Sequence, residues 1–271
     1  MDLAVKGLEK YFADSDALAR RGISASVFGE LDSTNSEARR YAVSNDLESA
    51  NARFFVALSQ TAGRGRMGRS FFSPSSTGLY FTMLFEATEM PAEKMLCLTP
   101  AAAVAVVRVA RALGINQARI KWVNDILVGG KKACGILAES FSLGDKRYAV
   151  VGIGINLFTD SFPEELKSIA TSFFTSESDK QKRLEVLGKT AELLAAELYD
   201  LRQMIDSGEL SYMDEYRSAS AVLGRRVSYV KDEVEIFGEA IAVDDHGGLS
   251  VREDSGCITV LTGGEISLFL K

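Results

Sequence analysis

Arg53-Phe54-Phe55-Val56-Ala57-Leu58-Ser59, then Gln60-Thr61-Ala62-Gly63-Arg64-Gly65-Arg66-Met67-Gly68-Arg69-Ser70, then Gly78-Leu79-Tyr80-Phe81-Thr82-Met83-Leu84-Phe85: this stretch decides the fold. The outer segments are apolar, aromatic and β-branched, and read as strands; the middle, with three glycines, three arginines and no acid, reads as a loop. By letter, Gly63-x-Gly65-x-x-Gly68 matches the dinucleotide-binding fingerprint. That motif needs a helix directly after the glycines, whereas Pro74, Ser75, Ser76 and Gly78 lead into a second strand. A protein-kinase Gly-rich loop also lies between strands, but the chain has no H-R-D or D-F-G sequence. Glycines let a ligand approach the backbone and leave N–H groups free, and arginines offer forked, permanently charged donors for carboxylate and phosphate oxygens. The loop therefore reads as an anion clamp, with a flexible basic surface loop as the alternative.

Working outward, Val27 to Leu31 reads as a strand, and Thr34-x-x-Glu37 is a capping-box pattern opening a helix to about Val43. Thr99-Pro100 suits an N-cap and first helical position for an Ala/Val-rich, buried helix running to Leu113, with Gly114 placed to end it. Ile120 to Val123 and Ile126 to Val128 are short strands, Gly129-Gly130 a turn, and Ala133 to Ser140 and Tyr148 to Asn156 two further strands across Gly144-Asp145. Leu184, Leu187, Ala191, Leu194, Leu198, Leu201 and Ile205 repeat at steps of three and four, which predicts an amphipathic helix packed on the sheet and ended near Gly208. Gly188-Lys189-Thr190 falls within that helix, and Arg183 stands where a Walker A loop needs glycine.

From about Ala221 the texture changes to short strands, Arg226 to Val230, Glu235 to Val243, Leu249 to Arg252, Cys257 to Leu261 and Glu265 to Leu270, which suggest a small β-barrel. The expected organisation is α+β: a mixed central β-sheet with packed helices over residues 1–220, then the barrel over 221–271. The barrel segment carries five Lys/Arg against nine Asp/Glu.

The chain has 271 residues, 46% of them hydrophobic and 25% charged, the composition of a folded globular protein. A net charge of −6 argues against broad attraction to nucleic acid or anionic membrane. Three well-separated cysteines, Cys97, Cys134 and Cys257, offer neither a disulfide framework nor a C-x-x-C motif and fit a reducing compartment. No stretch approaches about 18 uninterrupted apolar residues, so a soluble cytoplasmic protein is expected. The single histidine, His246, sits in the acidic turn Asp244-Asp245-His246-Gly247-Gly248 and reads as solvated. Ser-His-Asp and Cys-His catalysis and multi-histidine zinc sites are thereby set aside.

Two further segments carry polar residues among apolar ones. Lys121-Trp122-Val123-Asn124-Asp125 holds the only tryptophan, and Lys131-Lys132 follow it closely. Asn124 and Asp125 read either as site residues or as an Asx turn. In Gly152-Ile153-Gly154-Ile155-Asn156, two glycines within a strand mark close approach of a ligand or backbone, or tight packing against a helix.

Taken in order, Asp32-Ser33-Thr34-Asn35, the Gly63 to Gly68 loop, Lys121-Trp122-x-Asn124-Asp125, Lys132-x-x-Gly135-Ile136-Leu137, Gly152-x-Gly154-x-Asn156 and Gly263-Gly264-Glu265-Ile266-Ser267 resemble the motifs of biotin protein ligases. The resemblance runs from about residue 30 to the C-terminus. It implies a class II synthetase-like catalytic domain followed by an SH3-like β-barrel. It also implies activation of biotin by MgATP to biotinyl-5′-AMP and transfer of biotin to a lysine of a biotin carboxyl carrier domain. ATP and Mg2+ would enter as co-substrate, with no tightly bound prosthetic group.

By the same resemblance Lys132, Arg64 and Arg66 are the catalytic cations, with Lys132 touching both the biotin carboxylate and the α-phosphate. Ser33, Thr34, Asn35 and Gln60, with Arg64, Gly65, Arg66 and Lys132, would hold biotin. Gly63, Arg69, Phe71, Lys121, Asn124, Asp125 and Asn156 would contact ATP or the adenylate. Phe71 stands where the family often has tryptophan and Val123 where it commonly has proline, and Asp125 is the one named candidate for magnesium.

Some family members also carry an N-terminal DNA-binding domain. About thirty residues precede Asp32 here, so a monofunctional ligase that binds no DNA and no membrane is expected. Homodimerisation through the central sheet is open, Ala149 to Ile155 reading equally as an edge or as a buried strand. The alternative activity is lipoate or octanoate ligation or transfer on the same fold, whose enzymes carry a different Gly-rich sequence and generally lack the Lys-Trp-x-Asn-Asp segment.

Overall fold

The computed structural model describes residues 3–44, 52–174 and 179–269. Seven strands form a mixed sheet in the order β1-β2-β3-β7-β6-β5-β4. They are β1 (Ile23–Leu31), β2 (Ala52–Gln60), β3 (Gly78–Glu86), β4 (Arg119–Lys121), β5 (Asp125–Val128), β6 (Lys131–Leu143) and β7 (Lys146–Asn156). Only β1 and β2 pair in parallel, as their connection through helix α3 (Thr34–Ser44) requires. Every other neighbour in the sheet is antiparallel.

Strand alternation divides this sheet into two surfaces. On one, Phe54, Val56, Phe81, Met83, Val151 and Ile153 join the main core with helices α1 (Leu3–Ala13), α5 (Leu98–Ala112) and α6 (Lys180–Ser207). On the other, Phe55, Leu84, Tyr148 and Val150 pack under Ala38 and Ala42 of α3. Short helices α2 (Asp16–Ala19) and α4 (Ala92–Leu96) precede β1 and α5. The apolar run Ala92–Ala112 has the length and composition to cross a membrane, yet 67% of its window is buried against the rest of the protein. As predicted, α6 carries its three-and-four repeat inward and ends at Gly208, whose φ of +80° accommodates the left-handed cap.

Helix α7 (Tyr212–Ala219) leads into a second, all-antiparallel sheet in the order β11-β10-β9-β8-β12. Its strands are β8 (Arg226–Lys231), β9 (Val234–Val243), β10 (Leu249–Glu253), β11 (Ile258–Leu261) and β12 (Ser267–Leu268). The α+β class, the mixed central sheet and the C-terminal all-β, SH3-like unit are as expected from the sequence. Val227, Val243, Leu249, Val251 and Ile266 of that unit join the same apolar core as the large sheet.

Three local expectations need correction, and one reading left open is decided. Thr34 does not form a capping box: its hydroxyl is spent on Gln60 and Thr82, and Glu37 pairs with Arg40 instead. Helix α5 starts at Leu98 behind Cys97, so Thr99 and Pro100 lie inside its first turn, where a proline costs no hydrogen bond. Ala149 to Ile155 is not an edge, because β7 lies between β3 and β6; its apolar residues and glycines face covered surfaces on both sides. The last strand is only Ser267–Leu268, and Leu270 lies outside the described residues.

Candidate functional site

The site grows from one register row. Gly154 on β7 pairs with Gly135 on β6 and with Tyr80 on β3, and the next row of the same surface is Leu137, Gly152 and Thr82. Gly152, Gly154 and Asn156 therefore share a surface, and the missing side chains leave a hollow in it. Two side chains use that room. A Cβ on Gly152 would lie 2.1 Å from Asn35 Oδ1, and one on Gly154 would lie 2.5 Å from Phe71 Cε1. At Gly152 the neighbour is thus Asn35 of helix α3, the tight packing against a helix that the sequence left open, and at Gly154 it is the ring of Phe71.

Around the hollow, Ser33, Thr34, Asn35, Gln60, Arg64, Gly65, Arg66, Phe71, Asn124 and Lys132 line one narrow cavity of about 50 Å³. Arg69, Phe71, Lys121, Asp125, Lys132 and Asn156 line a second, of about 500 Å³, together with Phe72, Phe162 and Ile169. Phe71 and Lys132 belong to both. Gly63 lines neither; a Cβ there would lie 2.5 Å from Phe71 O and from Ser73 Oγ, so it is the glycine that lets the loop fold back. Asn124, expected on the nucleotide side, lies in the narrow cavity.

Thr34, Asn35, Gln60 and Tyr80 of the narrow cavity are each held in place by hydrogen bonds. Gln60 Oε1 accepts from the Thr34 backbone N–H at 2.8 Å, and Gln60 Nε2 donates to Ser73 Oγ at 3.0 Å. The fully buried Thr82 hydroxyl lies 2.6 Å from Asn35 Oδ1 and 2.8 Å from Thr34 Oγ1. Tyr80 donates to Pro74 O at 2.7 Å, and burial pushes its phenol well above the usual range. Beside the cavity, Arg40 hydrogen-bonds Asp32 and holds its carboxyl down at about 2.

The Gly/Arg loop is a closed turn, not a loose one. Gly65 N donates to Arg69 O at 2.7 Å and Phe71 N to Gly63 O at 2.8 Å, with Met67 and Gly68 turning the chain at φ +54° and +74°. Each arginine reaches a different partner outside the loop. Arg64 pairs with Glu139 at 3.1 Å, Arg66 donates to Asn124 Oδ1 at 2.8 Å, and Arg69 forms a fork with Glu265 at 2.7 and 2.8 Å. Asn124 in turn donates to Ile136 O, which accounts for both ends of its amide without an Asx turn. Lys132 Nζ lies 2.7 Å from Asp125 Oδ1 where the two cavities meet.

The C-terminal sheet closes on the site through Glu265 and through a second contact: the buried Trp122 donates its indole N–H to Gly247 O at 2.7 Å. His246, next to it, is exposed, as expected. Three residues escaped the sequence reading. Thr82 is a lone hydroxyl in an apolar strand, a signal that a buried partner exists. Tyr80 and Glu139 carry no motif; strand parity with Thr82 and with Gly135 puts them on the surface of the sheet that holds the hollow, where Tyr80 lines the cavity and Glu139 lies beside it.

The arrangement can therefore gather two anions around one ammonium and two guanidiniums, behind an aromatic ring and beside a polar pocket of fixed donors and acceptors. Comparison with known proteins agrees with this chemistry. The model described as the biotin/lipoate A/B protein ligase family matches residues 29–156, and that of the biotin protein ligase C terminal domain matches residues 222–268. The bifunctional ligase/repressor BirA of Bacillus spizizenii is 32% identical over 252 residues, covering 89% of this chain and 75% of that protein. The biotin–[acetyl-CoA-carboxylase] ligase of Mycobacterium tuberculosis is 27% identical over 247 residues, covering 89% and 88%. Among solved structures, the biotin protein ligase from Aquifex aeolicus in complex with biotin and ATP superposes with a TM-score of 0.71 at 27% identity, covering 92% of this chain and 99% of that one.

Proposed function

The chain belongs to the biotin protein ligase family, and on that premise we propose that its two joined cavities hold biotin and ATP on either side of Lys132. It is an ATP-dependent biotin ligase whose protein substrate is the carrier domain of a biotin-dependent carboxylase. In the first step a biotin carboxylate oxygen attacks the α-phosphorus, the bond to the bridging oxygen breaks, and pyrophosphate leaves with the negative charge. In the second, a neutral lysine amine of the carrier attacks the biotinyl carbonyl carbon, AMP leaves, and the amine proton goes to solvent.

Both steps crowd negative charge at one point, so the residues that matter are those that neutralise it before it develops. Lys132 is the group placed to bridge the biotin carboxylate and the α-phosphate, being shared by both cavities. That shared position carries the reading. Arg64 and Arg66 close over the narrow side, where Ser33, Thr34, Asn35 and Gln60 supply polar contacts for the ureido ring. Phe71, Arg69, Lys121, Asp125 and Asn156 serve the nucleotide, Asn124 meets the adenylate from the narrow side, and the glycine loop shields the intermediate from water.

Mg2+ enters as part of the MgATP substrate. Among the described residues no group of three or more His, Cys, Asp or Glu side chains comes together. Asp125 on the nucleotide side fits the habit of Mg2+, which takes one or two carboxylates and leaves its other positions to phosphate and water.

The functional units are residues 1–220 and 221–271, the second tied to the first through Glu265 and Gly247. Action in the cytoplasm fits the three free thiols. The acidic net charge favours a protein acceptor over DNA. A homodimer through the large sheet would form on β1, since the outer side of β4 already bonds the Ser220–Ala221 segment. The decisive experiment is biotin-dependent exchange of labelled pyrophosphate into ATP, with lipoate and octanoate in parallel. Exchange with biotin alone is expected; exchange only with lipoate or octanoate would overturn the reading.

A further inference from the structure

Glu139 belongs to none of the motifs that mark the site and lines not the narrow cavity but the neighbouring one, with Arg66, Leu137 and His246; its carboxylate nonetheless ties together two elements that wall the narrow cavity. It lies on β6 four residues beyond Gly135, on the same surface of the sheet, with its side chain 20% exposed. Arg64 Nη2 is 3.1 Å from its Oε1 and Arg64 Nη1 is 3.4 Å from its Oε2. Asn35 Nδ2 donates to Oε2 at 3.0 Å, and Arg39 Nη2 is 3.5 Å from Oε1. One carboxylate thus serves the Gly/Arg loop and helix α3 together.

The chemistry of these groups fixes an orientation. A carboxylate only accepts hydrogen bonds, whereas a carboxamide has one donating and one accepting end. Asn35 must turn its NH2 toward Glu139, so its Oδ1 points the opposite way, over Gly152 and within 2.6 Å of the Thr82 hydroxyl. We propose that Glu139 is a positioning residue for biotin selection: it locks the accepting end of Asn35 toward the cavity and holds Arg64 across the mouth. The ureido ring of biotin carries N–H donors, and a fixed acceptor reads one of them. This inference rests on the reading of the narrow cavity as the biotin side. A glutamine at position 139 keeps the shape but loses the ion pair and presents a donor as readily as an acceptor, which leaves the longer 3.4 Å contact from Asn35 Nδ2 to Leu137 O as the remaining hold on the amide's orientation.

The test compares wild type, Glu139→Gln, Glu139→Asp and Asn35→Ala in pyrophosphate exchange, with biotin and with biotin methylated at a ureido nitrogen. Glu139→Gln is expected to raise the KM for biotin about tenfold, the scale of one charge-assisted hydrogen bond, while the KM for ATP stays within about twofold. Glu139→Asp recovers part of the loss. Methylation penalises wild type more than Glu139→Gln, a non-additivity that a merely structural role for Glu139 does not produce. An unchanged biotin KM in Glu139→Gln, or an equal methylation penalty in both proteins, would overturn the proposal. If Glu139→Gln fails to fold, Glu139→Asp decides by the same two readings. If Asn35→Ala also leaves the biotin KM unchanged, the cavity assignment itself falls and takes the proposal with it. If Asn35→Ala raises the KM and the Glu139 variants do not, only the role of Glu139 falls.

Discussion

The ring of Phe71 lies on the bare backbone of Gly154, so close that a single methyl group at residue 154 would sit 2.5 Å from Cε1. This contact seats the aromatic wall between the two cavities, because Phe71 lines both. Gly154→Ala is therefore expected to destabilise the fold by about 1–3 kcal/mol, the range for overpacking a filled site. It is also expected to raise the KM for ATP more than that for biotin. Urea denaturation and pyrophosphate exchange check the two halves separately.

Lys132→Ala removes the ammonium shared by the two cavities. Loss of one charge-stabilising donor typically costs about 10²–10³ in rate, so biotin-dependent exchange should fall by that factor. Transfer from preformed biotinyl-AMP to the carrier should fall less, since there only the phosphate of the departing AMP gains charge, whereas adenylation gathers the biotin carboxylate and the triphosphate at one point. Equal exchange rates in variant and wild type would remove Lys132 from the chemistry.

Arg69 and Glu265 join the loop to the C-terminal sheet across an exposed fork, with side chains 67% and 42% exposed. Exposed pairs contribute at most about 1 kcal/mol, so Glu265→Ala should barely move the melting temperature. Its expected effect is on containment: AMP release without acceptor should rise several-fold as the loop opens and water reaches the adenylate. Raising the salt concentration on wild type should reproduce part of that leak.

Asp32 gives a pH signature. Arg40 holds its carboxyl at about 2, below its value in an unfolded chain. The folded value is depressed, so the stabilisation is complete above the unfolded value of about 3.9 and fades as pH falls through the folded one. The stability difference between wild type and Asp32→Asn should be flat from neutral pH down to about pH 5 and shrink between about pH 4 and 2. Denaturant titrations across that range measure it.

Trp122 is the only tryptophan, 3% exposed, with its indole bonded to Gly247 O. Gly247 has φ +88°, and a Cβ there would lie 2.7 Å from Pro100 Cγ on helix α5. Gly247→Ala is expected to push the C-terminal sheet away and shift Trp122 emission to the red. An unchanged spectrum would mean that the contact tolerates the methyl group.

The elements were legible because their signals are local. The apolar runs on either side of the Gly/Arg loop, the three-and-four repeat of α6 and the glycines after Leu113 and Ser207 each act within a few residues. Helix α5 shows the limit: its start depends on Cys97 and the preceding short helix, so Thr99-Pro100 misplaced it by a residue or two. Thr34 and Glu37 formed the right pattern for a capping box, but Gln60, Thr82 and Arg40 offered both side chains better partners.

By itself the sequence determined the α+β class, the acid-free Gly/Arg loop between two strands and the motif order that marks a biotin ligase. The first two follow from residue type and spacing along the chain, and the third is a resemblance carried by the motifs. Tertiary structure alone decided that β7 is an interior strand and that its two glycines form the floor of the hollow. It also decided that Glu139 and Glu265, 75 and 196 residues away from their arginines, supply the acids the loop lacks. Strand order and ion pairing join positions far apart in the chain, and no local periodicity encodes such distances.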